Sequence, residues 1–294
     1  MITRSAEGET PLRSLSLEIT SGCNLRCLHC YAESGPGLAA QDVLGVHDYL
    51  RLIVDARDLG CRMILFIGGE PTTYAGLPEL IRCARRNDYQ GIEVFTNATL
   101  LSDSLLRIFR DCNVLLLFSF YSNVPAAHDS ITQVTGSFAR TVSGIRRALA
   151  LGVSVTANVV TMETNSSTIN DTRDFLDRLG VTSVGTERVR GIGRGRTMVS
   201  SSGFDELCHR CWAGSLAVGS DGNCYPCPMG REFPVGNIRN ASLAEIVNGA
   251  RLKEFRLRSF ARYKERKDAR RHDAHGAVLS CGPERWIPDS ECDL

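Results

Sequence analysis

The sequence predicts an α/β protein built on a parallel sheet, and two observations carry that expectation. Six short strand-like runs alternate with amphipathic helical runs between residues 14 and 190. Two of those runs, 63–67 and 114–120, are almost continuously apolar, as strands buried on both faces must be.

Residues 15–19 alternate apolar and polar side chains, which is the period of a strand. Residues 42–59 read as a helix, with Tyr49, Leu52, Ile53 and Ala56 on one face. A strand at 63–67 and a helix at 77–86 follow, then a strand at 91–96 and a helix at 102–110. The strand at 114–120 precedes a helix at 137–151, a strand at 153–161, a helix at 170–179 and a strand at 181–189. Residues 191–203 are rich in glycine and serine and read as a linker. The basic run at 251–271 reads as a solvated helix face.

The chain has 294 residues, enough for one large domain or a large and a small one. A net charge of +1 gives no global reason to expect nucleic acid or membrane binding. The N-terminal residues have no apolar signal core, and no apolar run reaches the roughly 20 residues of a membrane span. A cytoplasmic location is the expectation.

Twelve cysteines are many for such a chain, and clustered cysteines in a reducing compartment point to metal rather than disulfides. Cys61, Cys83 and Cys112 lie in apolar contexts and read as core residues. Cys23, Cys27 and Cys30 form a Cys-x3-Cys-x2-Cys run right after the first strand. Three thiolates are one short of the usual set for a four-iron cluster. One iron would lack a protein ligand, and an open coordination site is what a metal needs to act on a substrate.

These residues resemble the signature of radical S-adenosylmethionine (radical SAM) enzymes. That resemblance implies a 4Fe-4S cluster on Cys23, Cys27 and Cys30, with S-adenosylmethionine chelating the open iron. It also implies reductive cleavage of the cofactor to a 5'-deoxyadenosyl radical that abstracts a substrate hydrogen. The family usually has an aromatic residue before the third cysteine; here it is His29. A second match is Gly68-Gly69-Glu70-Pro71 after the second strand, where the family binds the methionine amino group. Glu70 there is expected to shape the turn and its hydrogen bonds rather than to act as an acid or base. Asn97, Ser119, Asn158 and Arg188, each at a strand end, resemble further cofactor positions. Tyr121 and Glu187 lie beside them. His128 and Asp129 resemble a common family loop and are given no catalytic role.

Pattern alone does not distinguish an open sheet from a barrel. The resemblance implies a partial (β/α)6 TIM-like barrel with a small cysteine-rich C-terminal extension, and chemistry at the C-terminal strand ends. The expected division is a tail at 1–13, a barrel at 14–203 and an extension at 204–294.

Cys208-x2-Cys211 and Cys224-x2-Cys227 would suggest a zinc ribbon if read without context. The alternative spacing Cys211-x10-Gly222-x4-Cys227 resembles the opening of SPASM and twitch extensions, which bind auxiliary iron–sulfur clusters. The later dense cysteine string of a full SPASM pattern is missing. One auxiliary 4Fe-4S cluster is therefore expected, on Cys208, Cys211 and Cys227. Its fourth ligand would come from Cys281, Cys292 or Cys224.

The resemblance is strongest to bacterial peptide maturases, which implies modification of a ribosomally made peptide. Oxidation or epimerisation of a sugar or aminocyclitol is the alternative, and a non-enzymatic zinc-ribbon protein a third. The implied partners are a peptide or small-molecule substrate and an electron donor such as flavodoxin or ferredoxin. With the first strand near residue 15, a leader-peptide-binding function would come from a separate protein. Neither nucleic acid nor membrane is expected as a partner.

Overall fold

The computed structural model describes residues 10–272, residue 182 excepted. Cys281 and Cys292 lie outside the described residues.

Six parallel strands form the frame: β1 (Ser14–Glu18), β2 (Met63–Ile67), β3 (Gly91–Thr96), β4 (Val114–Phe120), β5 (Val155–Thr161) and β6 (Val184–Arg188). Each pairs with the next in sequence order, and β6 and β1 are not neighbours, so the sheet is the open arc of a partial barrel. Helices α1 (Val46–Asp58), α2 (Leu77–Arg86), α3 (Asp103–Asp111), α4 (Pro125–Thr132), α5 (Ser137–Ala150) and α6 (Ile169–Arg178) make the crossovers.

Period-two alternation sorts the strand residues. Leu15, Leu17, Ile64, Phe66, Ile92, Val94, Leu116 and Phe118 face the helices and join one large core with Tyr49, Leu80 and Phe109. Leu65, Ile67 and Leu117, with Phe95 and Leu115, form a small cluster on the inner face. Cys61, Cys83 and Cys112 sit in the large core, as their contexts suggested.

Several elements depart from the sequence pattern. Helix α4 begins on Pro125, is weakly amphipathic and ends at left-handed Gln133. Asp129 on it accepts hydrogen bonds from Gly136 N (2.5 Å), Ser137 Oγ (2.8 Å) and Phe138 N (2.8 Å), so it caps the start of α5. Burial opposes its charge, but those bonds hold its carboxyl below the usual range. In the extension, β7 (Ser215–Val218), β8 (Asn223–Tyr225) and β9 (Gly236–Asn237) were not expected. Strand β7 pairs in parallel with β1, Ser14 opposite Ser215, and β8 and β9 follow antiparallel. One sheet of nine strands thus runs from barrel into extension. Helices α7 (Leu243–Val247) and α8 (Ala250–His272) complete the described residues. Helix α8 is not only a solvated face, because Leu252, Phe255, Arg256 and Ser259 are buried along one side.

No helix among the described residues is long and apolar enough to cross a membrane.

Candidate functional site

The C-terminal strand ends open into one pocket. Cys23, Cys27 and Cys30 line it, together with Gly68, Gly69, Asn97, Ser119, Asn158 and Arg188. The loop after β1 and every later parallel strand end therefore contribute. Glu70 and Pro71 are buried behind the wall. Ser119 and Asn158 are register partners on β4 and β5, which places their side chains side by side on the inner face.

Two glycines join the loops after β1 and β2. Gly69 N donates to Thr20 O (2.7 Å), and Glu70 N donates to Gly22 O (2.8 Å). A Cβ on Gly69 would lie 2.1 Å from Gly22 O, and one on Gly68 would lie 2.4 Å from Thr20 O. Gly68 also has φ +149°, where side chains are disfavoured. Only glycine lets the two backbones zip together just before Cys23.

Glu70 is fully buried. Its Oε1 accepts from Thr72 N (3.0 Å), Thr72 Oγ1 (2.6 Å) and Thr96 Oγ1 (2.5 Å), and its Oε2 accepts from Asn97 N (2.7 Å). Burial raises its carboxyl above the usual range, and those four donors offset only part of that rise. The carboxylate is a fastener between the ends of β2 and β3. Asn97, positioned by it, donates to Asn24 Oδ1 (2.9 Å), and Asn24 donates to Thr99 Oγ1 (2.8 Å), which ties the cysteine loop to the end of β3.

The cysteine loop is gripped from the other side by residues read as a linker. Arg194 Nε donates to Cys27 O (2.9 Å), Arg194 Nη2 to Ser34 O (2.9 Å) and Arg194 N to Cys30 O (3.0 Å). Gly193 (φ +55°) makes the approach possible, since a Cβ there would lie 2.4 Å from Tyr31 O. Residues 191–197 are thus packed against the cysteine loop, a correction to the linker reading. A run of Gly-x-Gly-x-Gly has no apolar period, so nothing in its pattern marks it as packed. Replacing Arg194 with Met removes two charge-assisted bonds. Each such bond contributes about 1.5–3 kcal/mol, so iron at the N-terminal cysteines is expected to be lost to a chelator roughly tenfold faster or more. An unchanged loss rate would remove Arg194 from that role.

Cys23 and Cys27 are enclosed enough that burial pushes both thiols up to about 12. Tyr121 Oη donates to Cys27 Sγ (3.8 Å), and its ring meets His29 edge-on at 5.1 Å. Burial pushes His29 down to about 4, so its imidazole is neutral. His128 is packed between Phe120 (4.9 Å) and Tyr121 (5.2 Å) and is likewise pushed down to about 4 by burial, a core role.

Arg188 lines the pocket and forms a two-point pair with Glu206 of the extension (3.0 and 3.1 Å). Arg190 pairs with Glu187 (3.3 Å), both nearly buried. Glu18, at the inner end of β1, pairs with Arg231 of the extension and meets the Tyr31 hydroxyl beside Cys30. Glu18, Arg190, Arg194 and Arg231 escaped the sequence reading, because their partners are 3 to 213 residues away and no spacing reveals them.

The C-terminal cysteines divide. Cys211 and Cys227 share a buried cluster with Ile192, Leu207 and Phe255, and Tyr31 and Met229 pack against it. Cys224 points away into the large barrel core beside Val218 and Val235. The four cysteines 208, 211, 224 and 227 therefore do not close on a ribbon-type zinc ion. Among the described residues, no three His, Cys, Asp or Glu side chains converge as a single metal ion would require. Met229 and Pro228, next to Cys227, reach the main pocket.

Comparison with known proteins agrees with this geometry. Residues 17–176 match the Radical SAM superfamily, and residues 208–271 match an iron-sulfur cluster-binding domain, SPASM. The antilisterial bacteriocin subtilosin biosynthesis protein AlbA of Bacillus subtilis is 26% identical over 282 residues, covering 84% of this chain and 62% of AlbA. Fe-coproporphyrin III synthase of Methanosarcina barkeri is 26% identical over 182 residues, 62% of this chain and 45% of the synthase. The chain thus spans about half to three fifths of the length of these curated relatives. Among solved structures, Streptococcus suis SuiB bound to the precursor peptide SuiA superposes with a TM-score of 0.70 at 16% identity, covering 84% of this chain and 66% of SuiB. Native anSMEcpe with bound AdoMet gives 0.65 at 16% identity, over 85% of this chain and 84% of that one. Those two likenesses are of fold. With the match at residues 17–176 covering more than half of it, the chain belongs to the radical SAM superfamily.

Proposed function

We propose that this chain is a radical SAM enzyme that modifies a ribosomally made peptide. The observation that carries the chemistry is the single pocket shared by Cys23, Cys27, Cys30 and the Gly68-Gly69 loop. A 4Fe-4S cluster on the three cysteines and S-adenosylmethionine would supply a 5'-deoxyadenosyl radical for hydrogen abstraction.

The chain's own residues then have defined work. The flat Gly68-Gly69 backbone leaves room for a ligand's amino group, and Glu70 and Pro71 hold that backbone in place. Arg188, steadied by Glu206, offers a cation to a carboxylate. Asn97, Ser119 and Asn158 offer hydrogen bonds to a sugar or an amino acid moiety. The apolar floor of Leu65, Ile67 and Leu117 keeps water from the reacting centre.

Residues 14–203 would serve as the barrel and 204–294 as the extension. Cys211 and Cys227 would hold one auxiliary 4Fe-4S cluster; Cys208, disulfide-bonded in the structure, would join them as a reduced thiolate, with a fourth ligand from Cys281 or Cys292. The likeness to AlbA and to SuiB supports a peptide as substrate. A flavodoxin or ferredoxin would deliver electrons. Clustered cysteines meant for iron suit the reducing cytoplasm.

The test is iron, sulfide and zinc content after anaerobic reconstitution, followed by a reductant-dependent assay for 5'-deoxyadenosine. Roughly eight irons per chain with cofactor cleavage is the expected result. Roughly four irons plus one zinc would keep the radical chemistry and reassign the C-terminal cysteines. No iron and no cleavage in folded protein would overturn the proposal.

A further inference from the structure

Around Cys211 the structure gathers buried polar groups that have no partner. Cys211 is fully buried in the turn Cys211–Ala213, which packs on α8. Among the described residues, Arg256 Nε and Ser259 Oγ on the buried side of α8 have no hydrogen-bond partner, and neither do Trp212 Nε1 or the two ring nitrogens of His209. Arg256 is 4% exposed, and Ser259 and His209 are 0% exposed. A buried donor without an acceptor costs about 1–3 kcal/mol, and native proteins hold few. Of these, Arg256 Nε, with Ser259 on the same buried side of α8, marks a place where an acceptor belongs.

The charge has the same address. The Arg256 guanidinium lies within electrostatic reach of Cys211. Its other nitrogens are anchored, Nη1 to Thr10 O (2.9 Å) and Nη2 to Ser215 O (3.5 Å), so the head cannot swing out to water. Phe255, one residue before it, packs in the same cluster as Cys211 and Cys227. An anchored cation with its free N–H beside a cysteine suits an anionic sulfur-rich acceptor. Hydrogen bonds to sulfur and nearby charge are principal determinants of an iron–sulfur centre's potential.

We infer that Arg256, with Ser259, is a positioning residue for the auxiliary cluster: its fixed guanidinium raises that cluster's reduction potential and its Nε–H donates to a cluster sulfur. The inference rests on the proposal that Cys211 and Cys227 are ligands of an auxiliary cluster.

The test is an EPR-monitored redox titration of the reconstituted full chain. The auxiliary signal is defined as the one that survives replacement of Cys23, Cys27 and Cys30 and disappears on replacement of Cys211 and Cys227. If wild-type protein shows no such signal, the auxiliary-cluster reading fails and this inference falls with it. If the signal is present, Arg256→Met with full iron content is expected to have a more negative midpoint potential. Arg256→Lys, which restores the charge but not the Nε donor, should recover part of the shift. Where Arg256→Met does not retain iron, Arg256→Lys and Ser259→Ala carry the measurement, and each should still move the potential negative. Midpoints equal to wild type in the iron-loaded variants would overturn the assignment.

Discussion

Replacing Cys23, Cys27 and Cys30 together with alanine is expected to abolish 5'-deoxyadenosine formation. The three sulfurs face one pocket, and among the described residues no other thiol lines it. The loop itself is braced by backbone bonds in which Cys23 N donates to Gly35 O, Arg26 N to Thr132 O and Leu28 N to Ile131 O, none of which involves a sulfur. The variant should therefore fold and keep its helix content while losing about four irons per chain. The measurement is product quantification with a strong reductant, beside circular dichroism. Cofactor cleavage that persisted in the folded triple variant would sink the assignment of the catalytic centre.

The second large effect belongs to Glu70, a residue that touches no reacting atom in this account. Glu70→Leu keeps the bulk and removes the acceptor for Thr72 N, Thr72 Oγ1, Thr96 Oγ1 and Asn97 N. The hydroxyls can turn to other acceptors, but the two backbone donors cannot. A cost of about 3–5 kcal/mol follows from buried unsatisfied groups of this kind. Glu70→Gln keeps one acceptor oxygen and should cost less. Urea titration followed by circular dichroism would read both, and a stability for Glu70→Leu within 1 kcal/mol of wild type, roughly the worth of one ordinary bond, would show that the fastener is not needed. Gly69→Ala should fail by another route, since its Cβ meets Gly22 O at 2.1 Å.

Much of this site was legible in the chain because its residues come in local patterns. The cysteine run and Gly68-Gly69-Glu70-Pro71 each occupy one loop, and each loop follows a strand whose apolar run is easy to see. The helix and strand runs up to residue 189 fell within a few residues of their observed ends for the same reason, since period is a local property. What escaped is what depends on distance along the chain. Arg194 reaches Cys27 across 167 residues, and Arg231 reaches Glu18 across 213. Strand β7 has only four residues, too short to show alternation, and owes its existence to β1. The zinc-ribbon alternative persisted in sequence because spacing cannot show that Cys224 points into the barrel core while Cys227 points out of it.

The pairing of β7 with β1 also bears on how the protein is made. Strand β1 leads into the loop of Cys23, Cys27 and Cys30, and on one side it is finished by residues about 200 positions later. During synthesis β1 must wait with that edge bare until residue 218 has left the ribosome. An unpaired strand edge is a template for joining other chains. A version cut near residue 204 would leave the same edge open for good. Such a truncation should therefore associate and precipitate rather than behave as a free-standing barrel, and chaperone dependence should be highest while the last third of the chain is still being translated.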